Sequence, residues 1–101
     1  MKIQTEAIDF KVDQKLVDFI DKKIGKLERF HDRILDVRVV LKLENKSSKI
    51  KDKIAEIQLQ IPGDLLVTKS SDKTFEAAVA EASEAMERSL KKQKTKTSRA
   101  K

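Results

Sequence analysis

Leu35, Val37, Val39, Leu41 and Leu43 alternate with Asp36, Arg38, Lys42 and Glu44. Period two is the spacing of side chains along one face of a strand, so residues 35–44 predict a half-buried strand. Ala55, Ile57, Leu59 and Ile61 alternate in the same way with Glu56, Gln58 and Gln60. Pro62-Gly63 then predicts a turn, and a further strand follows over about 64–69. A shorter strand over 2–8 carries Ile3, Thr5 and Ala7 on one face. Between the first two strands the period changes. Leu16, Ile20, Ile24 and Leu27 recur at helical spacing, with Val17 beside them, and predict a helix from about 14 to 30. Asp13 can cap it by accepting backbone N–H bonds. Gly25 is a mild weakness within it, since glycine costs roughly 1 kcal/mol against alanine in a helix.

The last apolar stripe is Phe75, Val79, Ala82, Met86 and Leu90, a second helix with Asp72 or Ser71 as its cap. Asn45 to Asp52 is a polar loop, and the segment beyond Lys92 has no stripe. Residues 1–92 therefore predict one domain, and 93–101 a basic tail that is disordered when free. The order βαβββα, with one apolar face per strand, predicts an α+β domain. Two helices cover one face of a four-stranded sheet whose last three strands form an antiparallel meander. The other sheet face is polar, carrying Arg38, Lys42, Glu56, Gln58 and Gln60, with Val40 the lone apolar member.

Composition narrows the class. A chain of 101 residues supports one core. Charged residues at 40% and aromatics at 4% also suit a disordered chain, and it is the periodicity that argues for a fold. The absence of cysteine excludes disulfides and thiolate metal sites and fits a reducing compartment. Met1 to Glu6 lacks the apolar core of a signal peptide, and no apolar run approaches the ~20 residues of a membrane span. A cytoplasmic protein without a membrane partner is the expectation. The net charge of +6 is unevenly placed. From Met86 onward Arg88, Lys91, Lys92, Lys94, Lys96, Arg99 and Lys101 face only Glu87, and the preceding residues balance. Such a block implies a polyanionic partner or a solvated tail.

Lys22, Lys26, Arg29 and Arg33 add a second basic cluster. They share one stripe of the first helix, provided it reaches Arg33, with Lys23 at its flank. A solvated face explains either cluster alone; two that can meet favour polyanion binding. Single-strand binders stack bases on aromatic rings, and here there is no Trp or Tyr. Phe10, Phe19, Phe30 and Phe75 lie in or beside helices, where they serve the core. Phosphate contacts and shape must then dominate, which favours folded, double-stranded RNA. His31 stands without cysteine or metal-ligand spacing and reads as structural. Two glycines cannot make a phosphate loop. No catalytic residue, metal, cofactor or small-molecule substrate is expected.

The run Asp21-Lys22-Lys23-Ile24-Gly25-Lys26-Leu27-Glu28-Arg29-Phe30-His31-Asp32-Arg33-Ile34, followed by Val37-Arg38-Val39-Val40-Leu41, resembles the ribosome hibernation-promoting factors. These are also called ribosome-associated translation inhibitors. The likeness continues through Ala77-Ala78-Val79 and Glu87-Arg88 and covers about residues 1–94. It implies a fold similar to double-stranded-RNA-binding domains. It also implies binding to rRNA between head and body of the small ribosomal subunit, blocking the mRNA channel and tRNA sites of idle ribosomes in stressed or stationary cells. By position, Lys22, Lys23, Lys26, Arg29, Arg88, Lys91 and Lys92 look like rRNA contacts; Arg33 and Lys94 extend the two clusters. A basic residue is expected of the family where Ala85 stands. Long members add a C-terminal dimerisation domain, so the chain looks like a short member, monomeric off the ribosome. The alternatives are a double-stranded-RNA-binding module for another RNA, and a protein adaptor using the polar sheet face.

Overall fold

The computed structural model describes residues 1–44 and 53–99, with side chains described as far as Gln93. Strand β1 (Lys2–Ala7), helix α1 (Gln14–Gly25), a 3₁₀ helix (Lys26–Phe30), strands β2 (Asp36–Leu43), β3 (Lys53–Ile61) and β4 (Asp64–Asp72), and helix α2 (Phe75–Arg99) follow in order. The sheet runs β1-β2-β3-β4. Strands β2, β3 and β4 form the expected antiparallel meander, while β1 lies parallel to β2, Lys2 beside Asp36 and Ala7 beside Leu41. The sheet is therefore mixed. Pro62-Gly63 closes the tightest connection, with Ile61 opposite Asp64. Gly63 has φ +81°, the left-handed position that a type II turn requires at its third residue and that glycine adopts freely.

The core lies between the sheet and the two helices. Val37, Val39 and Leu41 of β2 and Ala55, Ile57, Leu59 and Ile61 of β3 are buried on one face. Leu16, Ile20, Ile24 and Leu27 meet them from the first helical segment. Phe75, Ala78, Val79, Ala82, Met86 and Leu90 do so from α2. Each buried aliphatic side chain contributes roughly 1.5–3 kcal/mol, and this stripe holds the elements together. Phe10 stacks on Phe75 with centroids 4.9 Å apart, tying the β1–α1 loop to the start of α2.

Several expectations are corrected. The first helix stays α-helical only to Gly25. Strand β4 runs to Asp72 rather than about 69. Ser70 and Ser71 lie beyond the expected strand end, yet they pair with Ala55 and Ile54. Thr68 on the core side donates its hydroxyl to the Ala82 carbonyl at 2.9 Å, which removes the cost of an unbonded hydroxyl there. Because β4 is longer, the α2 cap moves. Thr74 Oγ1 accepts from the Ala77 N–H at 3.1 Å, while Asp72 accepts from the Lys73 N–H just before the helix. Leu35 and Leu43 lie just before and at the end of β2 and are 52% and 45% exposed, beyond the reach of the helices. Asp13 does cap α1, accepting from the Leu16 N–H at 2.8 Å. The α2 backbone continues through Arg99, over the stretch read as a tail. Leu90 is its last buried residue among those described, and lysine, glutamine and arginine propagate a helix readily. The loop expected over Asn45–Asp52 lies outside the described residues, apart from its approach at Glu44.

Gly25 gives a simple test. Its φ is −57°, and an added Cβ meets nothing within 4 Å. Gly25→Ala should therefore stabilise the fold by about 0.4–1 kcal/mol, because it removes only freedom of the unfolded chain. Urea melts of both chains measure this, and a lower midpoint for the variant would contradict the open space around Gly25.

Candidate nucleic-acid interface

The tightening from α to 3₁₀ helix after Gly25 shapes the first basic cluster. With three residues per turn, side chains at i and i+3 stand in one column. Leu27 and Phe30 form the inward column: Leu27 is 1% exposed, and Phe30 packs partly buried against the core. Lys26 and Arg29 form the outward column, both exposed, with exposed Lys22 one α-helical turn earlier. Lys23 is half-buried, its ammonium 5.8 Å from the Phe19 ring centroid. The helix does not reach Arg33. His31 is extended (φ −160°, ψ 131°), and Arg33 sits in the turn beyond, so the expected four-residue helical stripe is a three-residue one. Arg33 is still exposed, next to the cluster in the chain. Its backbone N–H donates to His31 Nδ1 at 3.0 Å, which gives the histidine a structural task.

The second cluster lies on the C-terminal half of α2. The buried stripe through Met86 and Leu90 leaves Arg88, Lys91 and Lys92 exposed. Lys91 Nζ is 3.2 Å from a Glu87 carboxylate oxygen and 5.2 Å from the Phe30 ring centroid. An exposed cation–π contact is worth about 0.5–1 kcal/mol and a surface ion pair about 0.3–0.5 kcal/mol. These energies are small, but the geometry matters more: Phe30 joins the end of the 3₁₀ helix to α2. The two basic clusters thereby become one cationic surface. The side chain of Lys94 lies outside the described residues. Ala85, where a basic residue is expected of the family, is half-buried and adds no charge.

Between the helices runs a groove of about 190 Å³. Lys23 and Lys26 form one bank; Ser83, Glu84 and Glu87 form the other. Sequence reasoning passed over Glu84, because a carboxylate in a chain this charged carries no signal of its own. Its place on α2 opposite Lys26 follows only from how the helices pack. The Phe30–Lys91 contact was missed for the same reason.

The polar sheet face is occupied mostly with itself. Arg38 pairs with Glu6 on the neighbouring strand, and Gln58 donates to Glu56 at 2.7 Å. Leu65 and Val67 of β4 are half exposed on this face, beside Gln60 and Gln58. Among the described residues no group of histidine, aspartate and glutamate side chains is arranged to hold a metal, and no helix is long and apolar enough to cross a membrane.

Comparison with known proteins points to one family. The profile of the family described as Sigma 54 modulation protein / S30EA ribosomal protein matches residues 3–98. A ribosome hibernation promoting factor from Pseudomonas putida is 30% identical over 95% of this chain and 89% of its own length. A ribosome hibernation promotion factor from Deinococcus radiodurans is 28% identical over 92% of this chain, which spans only 49% of that relative. The N-terminal domain of Protein Y from Thermus thermophilus superposes with a TM-score of 0.78 at 30% identity, covering 91% of this chain and 98% of that one.

Proposed function

Since the chain belongs to the Sigma 54 modulation protein / S30EA ribosomal protein family, we propose that it is a non-enzymatic ribosome hibernation factor of the cytoplasm. It binds rRNA of the small subunit and, by occupying space, keeps mRNA and tRNA out of idle ribosomes. The observation that carries this is the joining of two basic clusters by the Phe30–Lys91 contact, on a domain whose four phenylalanines are turned to the core. A surface of lysine and arginine without stacking rings suits backbone phosphates of folded RNA. Lys22, Lys23, Lys26 and Arg29 meet the RNA from the first helical segment, and Arg88, Lys91 and Lys92 from α2. Arg33 and Lys94 extend the contact at either end. The names of the Pseudomonas and Deinococcus relatives support the ribosome as the target.

Sedimentation tests it. The protein should pellet with small subunits and intact ribosomes, and stay in the supernatant with isolated large subunits. With roughly six phosphate contacts, the slope of log affinity against log salt should be about −4 to −5. Recovery solely in the ribosome-free fraction would defeat the proposal. A slope near zero would mean that the cationic surface is only a solvated face, and would favour an adaptor. A steep slope without preference for ribosomes over duplex RNA would favour a general RNA-binding module.

A further inference from the structure

The groove between the helices opens onto a surface otherwise suited to phosphate, yet two of its lining residues are carboxylates. They are not equivalent. Glu87 is engaged with Lys91 at 3.2 Å. Glu84 is exposed and, among the described residues, has no hydrogen-bond or ion-pair partner. Lys26, on the opposite bank, is likewise exposed and unpaired. Acid and base thus face the same space without closing on each other. A carboxylate among cations opposes any polyanion by simple Coulomb repulsion, so Glu84 weakens phosphate binding unless the ligand gives it hydrogen-bond donors. An ionised carboxylate only accepts, at two oxygens side by side. The RNA base edge that matches it is guanine, whose N1–H and N2–H₂ donors lie parallel and adjacent. Adenine offers one amino group next to a ring nitrogen that repels the second oxygen. At about 190 Å³ the groove is smaller than the ~300 Å³ at which pockets for drug-sized molecules begin, so it can admit the edge of one base, with a phosphate at its bank, and does not enclose a whole nucleotide. With no aromatic ring on either bank, selection has to come from the base edge rather than from stacking.

We propose that this groove is a nucleotide-reading subsite, in which Lys23 and Lys26 hold a phosphate and Glu84 accepts the Watson–Crick edge of an unpaired guanine. It deepens the RNA-binding role proposed above and rests on it for its biological target. Its chemistry can nonetheless be tested without any ribosome. Glu84 then acts as a specificity residue: it disfavours generic duplex RNA, whose guanine edges are already paired, and favours a splayed-out guanine.

The test titrates the full chain with guanosine, inosine or adenosine 5′-monophosphate at millimolar concentration and follows backbone amides by NMR. The guanine nucleotide should shift amides around Lys23–Leu27 and Ala80–Glu87 with an affinity roughly tenfold above the adenine one. Inosine, which lacks the N2 amino group, should fall between them. Glu84→Gln should erase the discrimination while its spectrum remains that of the folded chain. The same variant should bind generic duplex RNA more tightly than the parent, a sign that mere structural damage would not give. Equal shifts from guanine and adenine, or no shifts in the groove, would overturn the subsite. So would a Glu84→Gln chain that still discriminates. A chain that discriminates nucleotides yet never pellets with small subunits would instead sink the ribosomal role and leave the groove standing.

Discussion

The triple variant Lys22→Glu, Lys26→Glu, Arg29→Glu should lose about a thousandfold in affinity for small subunits, roughly 4 kcal/mol, and with it the inhibition of cell-free translation. Each site lies on the outward side of the first helical segment, opposite Ile20, Ile24 and Leu27, which are at most 1% exposed. Surface changes of this kind usually move stability by no more than about 0.5 kcal/mol, so circular dichroism should show the parent fold. The loss has two parts. Three phosphate contacts disappear, which lowers the salt slope by about 3, and three carboxylates then face the RNA backbone. The contrast is a deletion of Thr95–Lys101. It removes Lys96, Arg99 and Lys101, half of the net charge of +6. These residues follow Leu90, the last buried member of the α2 stripe among the described residues. Long lysine and arginine side chains lose rotamer freedom when they are held against phosphates, which offsets part of their Coulomb gain, and the deletion should weaken binding only a few-fold. An inactive deletion beside a fully active triple variant would reverse the assignment and make the chain a basic tail on a passive domain.

Leu27→Ala should destabilise the domain by roughly 3 kcal/mol, within the range seen for buried leucines. Leu27 is 1% exposed and sits where the 3₁₀ helix packs between α1 and α2. For a domain of this size such a loss lowers Tm by about 12–24 °C. It is a large part of a typical stability of about 5–15 kcal/mol. The same change loosens the inward column that Leu27 shares with Phe30, so ribosome binding should weaken even at temperatures where the variant is folded. Thermal melts and sedimentation at low temperature measure the two effects separately. A melting point within a few degrees of the parent would mean that the 3₁₀ segment packs far more loosely than its burial indicates.

The period-two strands and both amphipathic helices were legible because each pattern is local. Val37, Val39 and Leu41 alternate whether or not their partners are known, and so do Ala55 to Ile61. The pairing of β1 was not legible, since nothing in Ile3, Thr5 and Ala7 says which edge they join. The end of β4 was hidden because Ser70 and Ser71 carry turn-like chemistry, and only the β3 ladder shows that their backbone is paired. At the candidate interface the basic residues themselves could be found from spacing, and family likeness added their expected role. What spacing could not supply was Arg33's departure from the helix, which depends on a backbone change after Gly25. Nor could it supply Phe30 under Lys91 or Glu84 across from Lys26, which are contacts between segments far apart in sequence.

The parallel position of β1 has a kinetic consequence. The β3–β4 ladder grows from a two-residue turn, with Ile61 opposite Asp64, so it closes at little entropic cost. Strand β1 meets β2 only after the whole of α1 has been traversed, Lys2 against Asp36. Pairing across so long a loop is slow to form, and as an edge strand β1 has neighbours on one side alone. The meander with α2 packed on it should therefore collapse first and β1 dock last. In the folded state β1 should also open most often, exchanging its amide hydrogens well before those of β3 in the middle of the sheet.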